Sequence, residues 1–212
     1  MGLFGDIMRA FPYVFHPSTV LGAFILLLVH YEWVHQEDPD TGLWPRIGAF
    51  LAAGALSLAP TAVYMFVTGS GIRETTQGNA WQVDALVASG IFVTATVMWL
   101  VWRRYDLGTL VPSAMVVLAA VTVPYAALSP FWNVSGHVTT ALMPTLYLTL
   151  VDRKYWPLLL IPAVMVPNRL YLGVHTWQQV VGAVVITTFV VVALYWHAND
   201  DSLDQARGPT RT

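Results

Sequence analysis

The chain has 212 residues, of which 56% are hydrophobic and 10% are charged, and its formal net charge is -2. So few charged side chains cannot cover the surface of a soluble domain of this size, and the composition therefore predicts an integral membrane protein. The small net charge gives no indication of a nucleic-acid partner. The chain has no cysteine, which excludes disulfides, thiolate catalysis and cysteine metal sites.

The N-terminal segment, residues 1–17, contains one arginine, Arg9, and no long apolar core before Pro17. These features make it a poor secretory signal. We expect it to be an amphipathic segment that lies at the membrane interface.

The apolar runs fall within residues 18–197. Because hydrocarbon offers the backbone no hydrogen-bond partners, each spanning helix needs about 20 mostly apolar residues. The sequence predicts an all-α fold, a polytopic membrane helical bundle of six to seven transmembrane helices in one domain, followed by a flexible polar tail at 198–212. The seven candidate spans are 18–34, 47–69, 82–102, 108–128, 137–151, 155–167 and 177–196.

Basic residues near helix ends predict which face of the bundle is cytoplasmic, because they stay on that side of the membrane. A count of seven helices leaves Arg9, Arg73 and Arg169 facing outward. It also places His137 and His175 at outer helix ends, so a site built from them lies on the non-cytoplasmic face. The basic residues on the cytoplasmic side are then Arg46, Arg103, Arg104, Arg153, Lys154, Arg207 and Arg211.

Ser135, Gly136 and His137 stand at the start of an apolar run. The first N–H groups of a helix are unpaired, the serine hydroxyl adds a donor, and glycine allows an oxyanion to approach closely. His137 can then give a proton to a leaving oxygen. The structural alternative is that Ser135 caps the helix and His137 lies at the interface.

A second stretch, NRLYLGVHTWQQV at 168–180, places Arg169 ahead of His175 in a segment predicted to join two helices. A guanidinium binds phosphate oxygens through paired hydrogen bonds, and a neutral imidazole can attack phosphorus. Gln179, one helical turn after His175, can hold the second ring nitrogen. The alternative makes Arg169 a snorkelling surface charge and His175 an interfacial ring.

The order S-G-H and then N-R-x-x-x-x-x-H resembles the second and third signature motifs of the type 2 phosphatidic acid phosphatase superfamily, with a helical hairpin between them. The resemblance implies that His175 is the nucleophile that forms a phosphohistidine and that His137 protonates the departing oxygen. It implies that Ser135, Gly136 and Arg169 hold the phosphoryl oxygens. It implies no metal and no cofactor.

The sequence departs from the family pattern at three positions within these motifs. Asn168 replaces the usual Ser, Val134 replaces Pro, and Gln179 replaces Asp. The pattern H-x-x-x-Q-V is similar to the dolichyl diphosphatase and glucose-6-phosphatase branches, and H-T-W-x-Q-V favours the former. We interpret Gln179 as a marker of that branch.

The family's first motif, a lysine followed by Arg-Pro, is missing, because 124–134 reads PYAALSPFWNV without a basic residue. Lys154 is the only lysine, and it is predicted on the opposite side. Arg73, in an outward loop, is a candidate to supply the missing positive charge, and an ordinary loop arginine is the alternative.

Other polar residues give weaker signals. His30 and His35 are not four residues apart, so the spacing does not predict a metal site. Asp84, near the outer end of a helix, is expected to pair with Arg73 or the site, or to snorkel. Tryptophans near predicted helix ends indicate an interfacial belt, namely Trp81, Trp132, Trp156 and Trp177.

The predicted function is hydrolysis of a lipid phosphate or diphosphate, favouring a polyprenyl or dolichyl diphosphate. One alternative is a phosphotransferase that passes the phosphoryl group to a sugar or lipid hydroxyl. Another is a catalytically degenerate relative that binds a lipid. The expected partners are the lipid substrate and membrane lipids, with no nucleic acid, and the sequence does not predict an oligomeric state.

Overall fold

The structure, a computed structural model, describes residues 2–36, 41–76 and 81–207, and of Arg73, Thr76 and 199–207 it describes the backbone alone. All regular structure in these ranges is helical. The helices are α1 (Leu3–Val14), α2 (Pro17–Val34), α3 (Leu43–Leu56), α4 (Ala59–Thr68), α5 (Ile72–Thr76), α6 (Trp81–Arg104), α7 (Leu110–Leu128), α8 (Gly136–Val151), a 3₁₀ helix (Arg153–Leu159), α9 (Leu160–Tyr171) and α10 (Trp177–Arg207).

Within the described ranges, five segments are long and apolar enough to cross a membrane. The predicted count of six to seven spans is not confirmed. The five segments are Pro17–Val34, Leu43–Thr68, Trp81–Arg104, Leu110–Leu128 and Trp177–Ala198.

The predicted span 47–69 is interrupted between α3 and α4. Pro60, in the first turn of α4, has no N–H to donate to the carbonyl of Leu56, and its ring clashes with that carbonyl in a continuous helix. The α-helix therefore stops at Leu56 and starts again at Ala59.

The two short candidates, 137–151 and 155–167, become α8 and the 3₁₀ helix with α9. α8 has only 16 residues and is largely buried in the bundle. α9 continues to Tyr171, so Arg169 lies in its last turn and not in the predicted connecting segment. The predicted tail, 198–212, is described as helical backbone as far as Arg207, and 208–212 lie outside the described residues.

Contacts between helices define two ends of the bundle. At one end the rings of His16 and His137 meet, and the Tyr125 hydroxyl donates to Asp84. We call this the histidine end. At the other, the Glu32 end, Trp102 Nε1 donates to Glu32, and the Tyr195 hydroxyl donates to the Leu150 carbonyl. α8 starts at Gly136, next to His137 at the histidine end, and carries the Leu150 carbonyl at the Glu32 end.

Glu32 joins α2 to α6 and α7 at the Glu32 end, where its side chain is buried. Its Oε2 accepts from Trp102 Nε1 at 2.7 Å, and its Oε1 accepts from the Leu110 amide at 2.5 Å. This carboxylate replaces the cap that the side chain of Thr109 does not provide to α7. Gly108, at φ +129°, lies so close to Glu32 that a side chain there would collide with it.

Replacing Glu32 with alanine is expected to destabilise the bundle, because Trp102 Nε1 and the Leu110 amide would lose their acceptor. A buried donor without a partner costs about 1–3 kcal/mol. We therefore expect the apparent melting temperature in detergent to fall by at least about 4 °C. Glu32→Gln keeps one acceptor oxygen, so its melting temperature is expected to fall less. An unchanged melting temperature in Glu32→Ala would contradict the capping role.

Candidate functional site

The N-terminus of α8 lies at the histidine end and begins at Ser135. Ser135 is the N-cap residue, but its side chain makes no capping hydrogen bond. The residue is fully buried, and its hydroxyl has no partner among the described groups. An unpaired buried hydroxyl costs stability. Ser135 itself is not among the residues that line the cavity formed by its neighbours. The next residue, Gly136, lines that cavity together with His137.

Arg169 reaches the same cavity from the last turn of α9. Its Nε is buried and has no hydrogen-bond partner in the described part of the chain. The guanidinium therefore offers a charged donor that the protein itself does not satisfy, as an anion-binding arginine must.

His175 lines the cavity from the loop between α9 and α10. Its Nδ1 lies 3.2 Å from the carbonyl oxygen of Asn133. Because a carbonyl can only accept, Nδ1 carries the proton and Nε2 keeps its lone pair. Burial, and then the charge of Arg169, lowers the pKa of His175, which favours the neutral ring.

Gln179 lies in the first turn of α10, beside His175. Its Oε1 accepts from the Thr176 amide at 2.9 Å, which is half of a capping box with Thr176 as the N-cap residue. The Gln179 side chain also raises the pKa of the His175 ring and so opposes part of the lowering. The Asn133 carbonyl therefore shares the orienting role that the sequence assigned to Gln179.

Asp84, which the sequence predicted to pair with Arg73 or with the site, lines the cavity, and the side chain of Arg73 lies outside the described residues. The Asp84 carboxylate accepts from the Tyr125 hydroxyl at 2.6 Å and from the Ser129 hydroxyl. Tyr125 in turn lies against Gly136, where an added Cβ would be 2.7 Å from its hydroxyl oxygen. Packing against Tyr125 therefore favours glycine at the second position of S-G-H.

Trp132 is not simply part of an interfacial belt. Its ring edge lies directly on Gly182 of α10, so closely that any side chain at 182 would collide with it. This contact holds the loop that carries the Asn133 carbonyl against α10. Trp81, Trp156 and Trp177, by contrast, are at least half exposed.

The cavity has a volume of about 760 Å³ and extends from the histidine end into the interior of the bundle. Its mouth is polar and includes Asp84, His137, Arg169 and His175. Deeper, its walls are apolar and come from α2, α3, α6, α7 and α8, with Ile25, Phe50, Ile91, Leu118 and Met143 among them.

Arg73, the predicted substitute for the missing first motif, has its backbone in the short helix α5, but its side chain lies outside the described part of the structure. Lys154 lies at the Glu32 end, where its Nζ is 2.8 Å from Asp152. Among the described residues that line the cavity, Arg169 is the only arginine or lysine.

The histidines outside the motifs divide between the two ends. His35 stacks on Tyr31, and its Nδ1 is 2.8 Å from the carbonyl of the same residue. His30 lies beside Trp33. Across the described ranges no group of three His, Cys, Asp or Glu residues could hold a metal ion. His16, which the sequence reasoning missed, lines the cavity beside His137.

The fold is that of a helical membrane protein with a cavity at one end, lined by His137, Arg169 and His175. A family model described as the PAP2 superfamily matches residues 122–202. The match supports the type 2 phosphatidic acid phosphatase superfamily that the motifs resemble, and it suggests a phosphatase-type activity. The dolichyl diphosphatase-like branch is not confirmed. Neither curated proteins nor solved structures gave a match.

Gly136→Ala is expected to weaken phosphate binding, because the new methyl group would push Tyr125 or the first turn of α8 out of place. Loss of one hydrogen bond to a charged oxygen costs about 1.5–3 kcal/mol, so the Kd for inorganic phosphate should rise at least about tenfold. Calorimetry on the purified protein measures this. Gly54→Ala is the control, since Gly54 lines the cavity with no atom within 4 Å of an added Cβ. Equal affinities in both variants would contradict the proposed packing requirement.

Proposed function

We propose that the chain is an integral membrane phosphatase that hydrolyses a lipid phosphate or diphosphate through a phosphohistidine at His175. The observation that carries this proposal is that His137, Arg169 and His175, from three separate segments, line one cavity. Arg169 Nε, which has no partner among the described residues, adds a donor that such a substrate would satisfy.

In the first step, Nε2 of His175 attacks phosphorus while the Asn133 carbonyl holds Nδ1–H. An N–P bond forms, the bond from phosphorus to the leaving oxygen breaks, and the electron pair stays on that oxygen. His137 gives the leaving oxygen its proton, and a phosphate dianion in the cavity favours the protonated form of His137. Arg169 and the first N–H groups of α8 bind the remaining oxygens.

In the second step, water attacks the phosphohistidine. His137, now neutral, takes a proton from the water as its oxygen bonds to phosphorus. The N–P bond breaks, inorganic phosphate leaves, and His175 returns to its neutral form.

The cavity supports a substrate with a hydrocarbon chain. On α6, its lining runs from Val83 to Thr94, a distance of about 16 Å along a helix. An apolar chain in this space would leave its phosphate among the histidines and Arg169. We favour a polyprenyl diphosphate because of the H-T-W-x-Q-V resemblance.

The distribution of basic residues supports a site on the non-cytoplasmic face. Positive charge concentrates on the cytoplasmic side of membrane proteins, so we assign the Glu32 end to that side and the histidine end to the other. The basic residues at the Glu32 end are Arg46, Arg103, Arg104, Arg153 and Lys154.

Purified protein in detergent is expected to release phosphate from a panel of farnesyl diphosphate, farnesyl phosphate and phosphatidate, with farnesyl diphosphate preferred. His175→Ala removes the nucleophile and should lower kcat by at least about a thousandfold, that is about 4 kcal/mol of barrier. His30→Ala, on α2 near the Glu32 end, is the control. A His175→Ala variant with wild-type activity would exclude the phosphohistidine mechanism, and cleavage of phosphatidate alone would exclude the polyprenyl assignment.

Gly54→Leu is expected to shorten the cavity, since the new side chain would enter it without meeting another atom at Cβ. Displacing two or three methylene groups of the substrate chain costs about 0.8 kcal/mol each. The ratio of kcat/KM for farnesyl diphosphate to that for isopentenyl diphosphate should fall about tenfold or more.

Gly48→Leu is the matched control for this variant. Gly48 lies on the same helix, is exposed, and has open space around an added Cβ. An unchanged ratio in Gly54→Leu, or an equal fall in both variants, would contradict a chain-binding role for the cavity.

A further inference from the structure

His16 is a third imidazole at the mouth of the cavity, and it comes from outside the region that the family model matches. Its ring centroid is 5.8 Å from that of His137, and the two rings are nearly perpendicular. The chain brings together residues 121 positions apart, which the motifs alone do not indicate.

The contacts of His16 determine which ring nitrogen is free to donate. His16 is the N-cap residue of α2, and its Nδ1 accepts from the Ser18 amide at 3.4 Å. It also lies 2.8 Å from the Ser18 hydroxyl. An amide can only donate, so Nδ1 carries no proton and Nε2 does. The ring therefore offers one N–H donor on the edge away from Ser18.

The helix before His16 is fixed to the segment that carries Arg169. Asn168, fully buried, donates from Nδ2 to the Met8 carbonyl at 2.5 Å. Phe4 of α1 also packs edge-on against Tyr171. Asn168 is one of the positions at which the sequence departs from the family motif, and here it anchors α1. The anchor holds the entry to α2, and so His16, at a set place relative to Arg169.

The neighbour of His16 indicates its part in the reaction. His137 protonates the leaving oxygen in the proposed function, so a donor beside His137 lies on the leaving-group side. When the substrate is a lipid diphosphate, the leaving group is a lipid monophosphate, whose non-bridging oxygens accept hydrogen bonds. When the substrate is a lipid monophosphate, the leaving group is an alcohol, which has no non-bridging phosphate oxygens.

We propose that His16 donates from Nε2 to the departing phosphate of a lipid diphosphate, and so selects diphosphates over monophosphates. This inference rests on the proposed function. As Nε2 of His175 bonds to the terminal phosphorus, the bond from that phosphorus to the bridging oxygen breaks. The electron pair stays on the bridging oxygen, which takes the proton of His137. His16 binds the other oxygens of the phosphate that leaves.

The test compares farnesyl diphosphate with farnesyl phosphate in His16→Ser and His16→Asn. Both replacements are good N-cap residues, so they preserve the start of α2 while removing the imidazole. A hydrogen bond to a charged oxygen is worth about 1.5–3 kcal/mol, so the kcat/KM ratio of diphosphate to monophosphate should fall about tenfold or more. His30→Ser, the same change near the other end of α2, should keep the wild-type ratio.

Equal losses on the two substrates would overturn the proposal, because they indicate only a structural role for His16. An unchanged ratio in both variants would overturn it as well. The His175→Ala variant, measured in parallel, separates this failure from that of the proposed function. If His175→Ala releases phosphate at the wild-type rate, the proposed function fails, and the role of His16 fails with it.

Discussion

A helical bundle in hydrocarbon must pair its buried polar groups internally, and the buried polar groups of this bundle meet that constraint to different degrees. At the Glu32 end, the carboxylate of Glu32 satisfies the Trp102 indole and the first turn of α7. Among the described residues, the Ser135 hydroxyl and Arg169 Nε at the histidine end have no partner, and neither has Trp33 Nε1 on α2. Of these three, only Arg169 lines the cavity with the apolar interior, which is where the proposed substrate would place its anionic head.

The positions of the long helices could be predicted because hydropathy alone decides which segments avoid water. The ends of the shorter helices could not. α8 is sheltered by neighbouring helices, so its length follows packing more than bilayer thickness. α9 extends past Pro167 to Tyr171 because Asn168 docks on α1, a contact across the whole chain that no local pattern reports.

The motif residues could be identified from spacing, and the structure places His137, Arg169 and His175 on one cavity. Two neighbours of these residues, the Asn133 carbonyl and His16, were missed for specific reasons. The partner of His175 is a backbone carbonyl, which any residue at 133 would provide. His16 is distant in sequence from the motifs. Gln179 was identified, but not its capping role, for which a signal was available, since T-x-x-Q before an apolar run is the pattern of a capping box.

The central claim is that one imidazole carries the phosphoryl group between two half-reactions. The most direct measurement mixes the protein with lipid diphosphate labelled in its terminal phosphate, quenches in base to preserve phosphohistidine, and locates the label by peptide mass spectrometry. The account predicts label on His175. Label on another residue would contradict the account. Steady phosphate release with no labelled protein at any time would contradict it as well.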